Sequence, residues 1–149
     1  MRWSLATSTV GTVIDTTTVG SMPVGALIGG PVTRVDPDMP VTEVAQALTT
    51  GGIGAVVVGD GDTVSGIVSE RDVTHAVAAG LDLAATSAID IAHTSLLWCD
   101  LTATVAEVAS EMMDQWVRHI LVEEDGQLVG IVSARDLLGV YATAEEETD

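Results

Sequence analysis

The chain has no phenylalanine and no lysine, a single cysteine, and only three tryptophans and one tyrosine as aromatics. Each absence excludes something. Without lysine there is no P-loop and no Schiff-base nucleophile, and no nucleophile–base pair or metal cluster stands out in the rest of the sequence. The expectation is that the protein is not an enzyme. Cys99 is alone, so no disulfide forms within the chain, which points to a reducing cytoplasm. It reads as a small core residue rather than a nucleophile or a metal ligand. No apolar run approaches the ~18–20 residues that span a bilayer. The first residues also lack the charged and apolar regions of a secretory signal. Missing phenylalanine, the core must rest on Val, Ile, Leu, Ala and Met. At 47 % hydrophobic residues in a chain of 149 there is enough for one shared core.

Positive charge is nearly absent as well. Five arginines face 22 acidic residues, a formal net charge of -17. Such a surface repels duplex nucleic acid and anionic membranes, so neither is expected as a partner. Self-repulsion on this scale weakens a compact state unless salt screens it, with a Debye length near ~3 Å at 1 M. The expectation is a halophilic protein from a cytoplasm molar in salt, whose unfolding temperature rises steeply with KCl.

What the chain does have is a repeat. Gly66-Ile67-Val68-Ser69-Glu70-Arg71-Asp72 returns 64 residues later as Gly130-Ile131-Val132-Ser133-Ala134-Arg135-Asp136, with six of seven positions identical. The same offset runs without a gap from Val41 against Val105 to Val73 against Leu137. A fixed period of this kind declares the architecture before any propensity does.

Each copy reads as an irregular lead-in, Val24 to Asp38 or Ala88 to Leu101, followed by helix, strand, strand and helix. The first helix takes Pro40 in its first turn and presents Val41, Val44, Ala45 and Leu48. Its counterpart opens on the capping box Thr104-Val105-Ala106-Glu107 and presents Val105, Val108, Ala109 and Met112. Val44, Leu48, Val108 and Met112 suit either a core or a dimer interface. Gly51-Gly52 ends the first helix. Strands are predicted at Ala55–Gly59, Val64–Val68, His119–Glu123 and Leu128–Val132, and the final helices begin near Arg71 and Arg135. The fold class is α+β: a pseudo-two-fold tandem repeat, each copy a small sheet packed on helices. The expected divisions are a flexible amino-terminal tail (1–22), repeat one (23–80), repeat two (81–143) and an acidic tail (144–149). Met22 is a candidate upstream boundary for translation.

A Ser leaving a strand and an Asp three residues on, in the first helical turn, lie on one side and offer acceptors to a vicinal diol, as an acidic residue does for ribose in dinucleotide folds. The helix amino terminus beside them favours an anion, and Arg71 and Arg135 are within reach of a phosphate. The plainer reading is that Ser-x-x-Asp is a helix cap. Capping leaves unexplained why three of five arginines (Arg71, Arg118, Arg135) fall beside these motifs.

The duplicated pattern, over roughly residues 23–143, resembles a tandem pair of cystathionine-β-synthase (CBS) domains, a Bateman module. The Gly-hydrophobic-hydrophobic-Ser/Thr-x-x-Asp heptapeptide is that family's ribose-binding signature, complete in both copies. The resemblance implies a regulatory module that senses adenosine-containing ligands (AMP, ADP, ATP, S-adenosylmethionine or NAD) with no required cofactor. It also implies a homodimer and an unidentified target protein. Carried over by position, one site uses Ser133, Arg135 and Asp136, with Arg118 toward the phosphates and the base against Ile28, Thr33, Ile53, Gly54 and Ala55. The other uses Ser69, Arg71 and Asp72, with Ala92, Leu97, Val117, Arg118 and His119 around the base. Arg118 replaces Gly54, so the Asp136 site is expected to take the more highly charged nucleotide. His119 reads equally as a phosphate contact or a strand residue. His75 and His93 read as surface or half-buried residues, and Trp98 and Trp116 as packing or dimer contacts. The alternative is an interaction module with vestigial pockets.

Overall fold

The structure, a computed structural model, describes residues 16–146. A short helix α1 (Thr16–Gly20) and a 3-10 turn (Val24–Leu27) precede the first repeat: β1 (Arg34–Val35), α2 (Val41–Gly51), β2 (Ala55–Val58), β3 (Gly66–Ser69) and α3 (Glu70–Ala78). After α4 (Ala88–Ile91) the second repeat runs β4 (Trp98–Asp100), α5 (Val105–Gln115), β5 (His119–Glu124), β6 (Gln127–Ser133) and α6 (Ala134–Glu146). Each repeat carries a three-stranded sheet, ordered β1-β2-β3 or β4-β5-β6. The first strand of each lies parallel to the second, and the hairpin closes the sheet antiparallel. The predicted α+β tandem repeat is the observed fold.

The lead-ins, expected to be irregular, each contain a helical turn and a strand. Strands of two or three residues are too short to show an alternating pattern. They form because β2 and β5 each offer a free edge, with Val57 N–H donating to Thr33 O and Leu121 N–H to Leu97 O. The amino-terminal segment packs on repeat two where it is described. Val19 on α1 is buried, and a methyl group at Gly20 would touch Ala106. Residues 1–15 of that tail lie outside the described residues. At the other end α6 continues through Glu146, and 147–149 lie outside them.

The lead-ins are exchanged between the halves. Val24 N–H donates to Ala103 O (2.7 Å) and Val105 N–H to Met22 O (2.9 Å). One period away, Ala88 N–H donates to Met39 O (2.8 Å) and Val41 N–H to Thr86 O (2.9 Å). Val24 therefore completes the core of repeat two, around Val105, Val108, Met112, Ile120 and Val132, while Ala88 completes that of repeat one, around Val44, Leu48, Val56 and Val68. Val44, Leu48, Val108 and Met112 are thus core residues, each contributing about 1.5–3 kcal/mol by burial. A third cluster joins the two sheets face to face through Ala55, Val57, Ile67 and Leu121, flanked by Val32, Val64, Leu96, Leu128 and Ile131. At this junction the halves meet and the site is built.

Candidate functional site

Both Ser-x-x-Asp motifs are helix caps. Ser69 N–H donates to Asp72 Oδ2 (2.7 Å) and Asp72 N–H to Ser69 Oγ (3.3 Å). Ser133 N–H likewise donates to Asp136 Oδ2 (2.8 Å), and Asp136 N–H to Ser133 Oγ (3.1 Å). The cap uses one carboxylate oxygen and leaves Oδ1 to other partners, so capping and ligand binding are compatible in one motif. What each Oδ1 meets is where the copies part.

Beside Asp136 lies an open cavity of about 1330 Å³ between the repeats. Ser133, Arg135 and Asp136 line it from repeat two, and Ile28, Thr33, Ile53, Gly54 and Ala55 from repeat one, the grouping predicted for one site. His119, assigned to the other site, lines this one, and Arg118, exposed on the surface, is not among its described lining. The lining position one period before Arg118 is Gly54, so the pseudo-symmetry puts Arg118 at the Asp72 end. Burial pushes the His119 imidazole below the usual histidine range, against the opposing pull of Asp136 and Asp72. It therefore faces the cavity as a neutral donor or acceptor at neutral pH. Neighbours that the motif did not reveal also line it, among them Gly29, Gly30 and Pro31 on the lead-in, Val19 on α1, and Gly139 and Val140 on α6. The last two were in principle legible, since they stand one helical turn beyond Asp136 on the same face.

The Asp72 end is shut. Asp72 is buried, and its Oδ1 receives His93 Nε2 at 2.6 Å. The His93 backbone is tied to β3 in both directions, donating to Ile67 O (2.9 Å) and accepting from Ile67 N–H (3.0 Å). Ser69 Oγ also turns to Asp72 Oδ2 (2.9 Å). Of the residues predicted around a base here, Ala92 packs into the core of repeat one and Leu97 and Val117 into that of repeat two. Arg71 is exposed at the same end. Sequence reasoning missed His93 as the partner of Asp72, because a histidine 21 positions along carries no local signal.

Other candidates have plain structural placements. Cys99 is half-buried, and burial, with Asp100 and Glu123 beside it, pushes its thiol up and away from nucleophilic thiolate. Trp116 is almost wholly exposed and Trp98 partly so. Among the described residues no group of three His, Cys, Asp or Glu converges as a metal site. Among the described residues no helix is long and apolar enough to cross a membrane.

Comparison with known proteins gives the same duplication. The CBS-domain family model matches twice, at residues 24–79 and 88–143. Hypoxic response protein 1 of Mycobacterium tuberculosis is 33% identical over 108 residues, covering 71% of this chain and 76% of that protein. A CBS-domain protein from Agrobacterium tumefaciens superposes with a TM-score of 0.76 at 34% identity, covering 80% of this chain and 99% of its own. Another from Pyrobaculum aerophilum, solved in complex with AMP, gives a TM-score of 0.74 at 28% identity over 84% of this chain and 99% of its own.

Proposed function

This chain belongs to the CBS-domain family, and we propose that its two repeats form a regulatory module binding one adenine nucleotide in the cavity beside Asp136. The observation that carries this reading is the open, lined cavity between the halves, with the capped Asp136 carboxylate at its edge. The AMP complex of the Pyrobaculum aerophilum relative supports the ligand class.

In this reading the ribose diol bonds to Asp136 Oδ1 and Ser133 Oγ. The phosphate lies at the amino end of α6, where backbone N–H groups and the Arg135 guanidinium favour an anion. The base rests among Ile28, Thr33, Ile53, Gly54 and Ala55. One further pair of groups suits a purine. Leu121 N–H turns toward β4, so antiparallel alternation directs the Ile131 N–H and C=O to the outer edge of β6, beside the cavity. An adjacent donor and acceptor can pair with the N1 acceptor and N6 amino donor of adenine.

AMP is the leading ligand, with ADP, ATP, S-adenosylmethionine and NAD in the same class. The module signals rather than turns over substrate, through differential affinity of the ligand for two arrangements of the repeats. A second copy and a separate target protein are the expected partners in a cytoplasmic setting. The exposed Val77, Met113, Trp116 and Leu138 offer apolar contacts for them.

Isothermal calorimetry at high KCl across these adenosyl compounds and GMP tests the reading. Saturable binding of an adenosyl compound, one per chain and stronger than GMP, is the expected result. Flat titrations with the whole panel would leave the interaction module with vestigial pockets as the better account.

A further inference from the structure

The second clamp, at Asp72, has the same Ser, Arg and Asp as the first, yet its own chain occupies it. We infer that His93 is an intramolecular latch, holding the Asp72 clamp closed so that a single nucleotide binds per chain until the latch is displaced. This rests on the nucleotide reading of the Asp136 cavity and deepens it.

The argument is a comparison one period apart. Segment 92–93 in repeat two corresponds to 28–29 in repeat one. At the closed end a methyl group on Gly66 would meet His93 O at 2.8 Å and Ala92 Cβ at 2.9 Å, so the backbone of the segment lies directly on β3. At the open end the methyl group on Gly130 would meet the Ile28 side chain, its Cδ1 at 2.8 Å. The larger Ile28 side chain fills the space over its glycine and props the backbone away. Alanine at 92 lets the backbone descend and form the two-way bridge with Ile67. No such bridge joins Gly29 to Ile131 among the described residues.

The side chain completes the closure. His93 Nε2–H fills Asp72 Oδ1, the oxygen that a ribose hydroxyl would use, and Gly29 at the open end has nothing to offer. The latch is shallow: His93 is 70% exposed and holds by one side-chain bond and two backbone bonds. A device of that strength can be displaced by a ligand or partner that supplies its own donors to Asp72. Arg71 and Arg118, both exposed, make an anionic competitor the better fit.

Two variants copy the open end into the closed one: His93→Gly and Ala92→Ile. In calorimetry with AMP, the wild type is expected to bind one per chain and His93→Gly two. His93→Gly combined with Asp72→Ala should return to one. Amide exchange by NMR on the ligand-free protein gives an independent readout. Ile67 N–H should exchange slowly and Ile131 N–H fast in the wild type, with Ile67 accelerating at least tenfold in either variant. The latch is overturned if a folded His93→Gly protein still binds one AMP where the wild type binds one, or if Ile67 exchanges as fast as Ile131 in the wild type. If no variant binds AMP, the nucleotide reading fails and the exchange rates alone decide the latch.

Discussion

Repeat one and repeat two place the same Ser, Arg and Asp on the same strand–helix junction, yet Asp136 faces an open cavity while Asp72 is buried under His93. The catalogue of clamp residues does not separate them. What separates them is the partner segment crossing from the other half: Ile28-Gly29-Gly30 in one case, Ala92-His93-Thr94 in the other. On the proposed reading a duplicated motif fixes where a ligand clamp would be built, and the exchanged lead-in decides whether it is available.

The largest expected break in this comparison comes from the two aspartates. Asp136→Ala removes a charged acceptor that the ribose would use, an interaction of about 1.5–3 kcal/mol, or roughly ten- to a hundredfold in affinity. Asp72→Ala should leave AMP affinity within about twofold, because its clamp is already filled. Calorimetric titration of both variants checks this, and equal losses would mean that the ends are equivalent in solution. The glycines under the lead-ins come next. Gly66→Ala drives a methyl group into the His93 backbone, and Gly130→Ala meets the Ile28 side chain rather than backbone. Overpacking should cost about 1–3 kcal/mol at Gly66 and visibly less at Gly130, measured by denaturant unfolding.

Much of this was legible in the sequence. The 64-residue period gave the tandem α+β plan, and local patterning gave the Thr104–Glu107 capping box, the Gly52 helix end and both hairpins. The clamp grouping around Asp136 followed from the motif plus family geometry. What stayed hidden was non-local. Strand β1 exists only because β2 has a free edge, and the exchange of Val24 and Ala88 between cores depends on how the halves face one another. The occupancy of Asp72 turns on alanine at 92 where repeat one has isoleucine at 28, and on a histidine far along the chain. Arg118, expected at both ends, is exposed and is not among the described lining of the Asp136 cavity, because the position one period before it, Gly54, belongs to that lining and the pseudo-symmetry leaves Arg118 at the Asp72 end.

A smaller contrast lies at the ends of α2 and α5. Both close on a left-handed residue: Gly52 at φ 60° and, one period later, Trp116 at φ 57°. Glycine adopts that conformation freely, whereas tryptophan there costs roughly 1 kcal/mol. Trp116 is 94% exposed and recovers little of this by packing within the chain. Trp116→Gly should therefore raise stability by about 1 kcal/mol. If instead the variant loses stability or dissociates a dimer, the tryptophan is held in place by a partner.

The smallest expected effect is the pH dependence that His119 adds. His119 stands where repeat one has Ala55, and its burial depresses the imidazole below the ordinary value of 6.5. Well above pH 6.5 both the folded and unfolded chains hold it neutral, so it contributes no pH dependence there. As the pH falls through 6.5 the unfolded chain takes up a proton that the folded chain resists, and stability declines until the folded imidazole protonates as well. His119→Ala, which copies repeat one, should flatten that part of the stability profile between pH 7 and the onset of carboxylate titration. Chemical denaturation at several pH values at constant KCl reads this directly. Identical slopes in the variant and the wild type would show that His119 is solvated in solution, and with it the inner wall of the cavity.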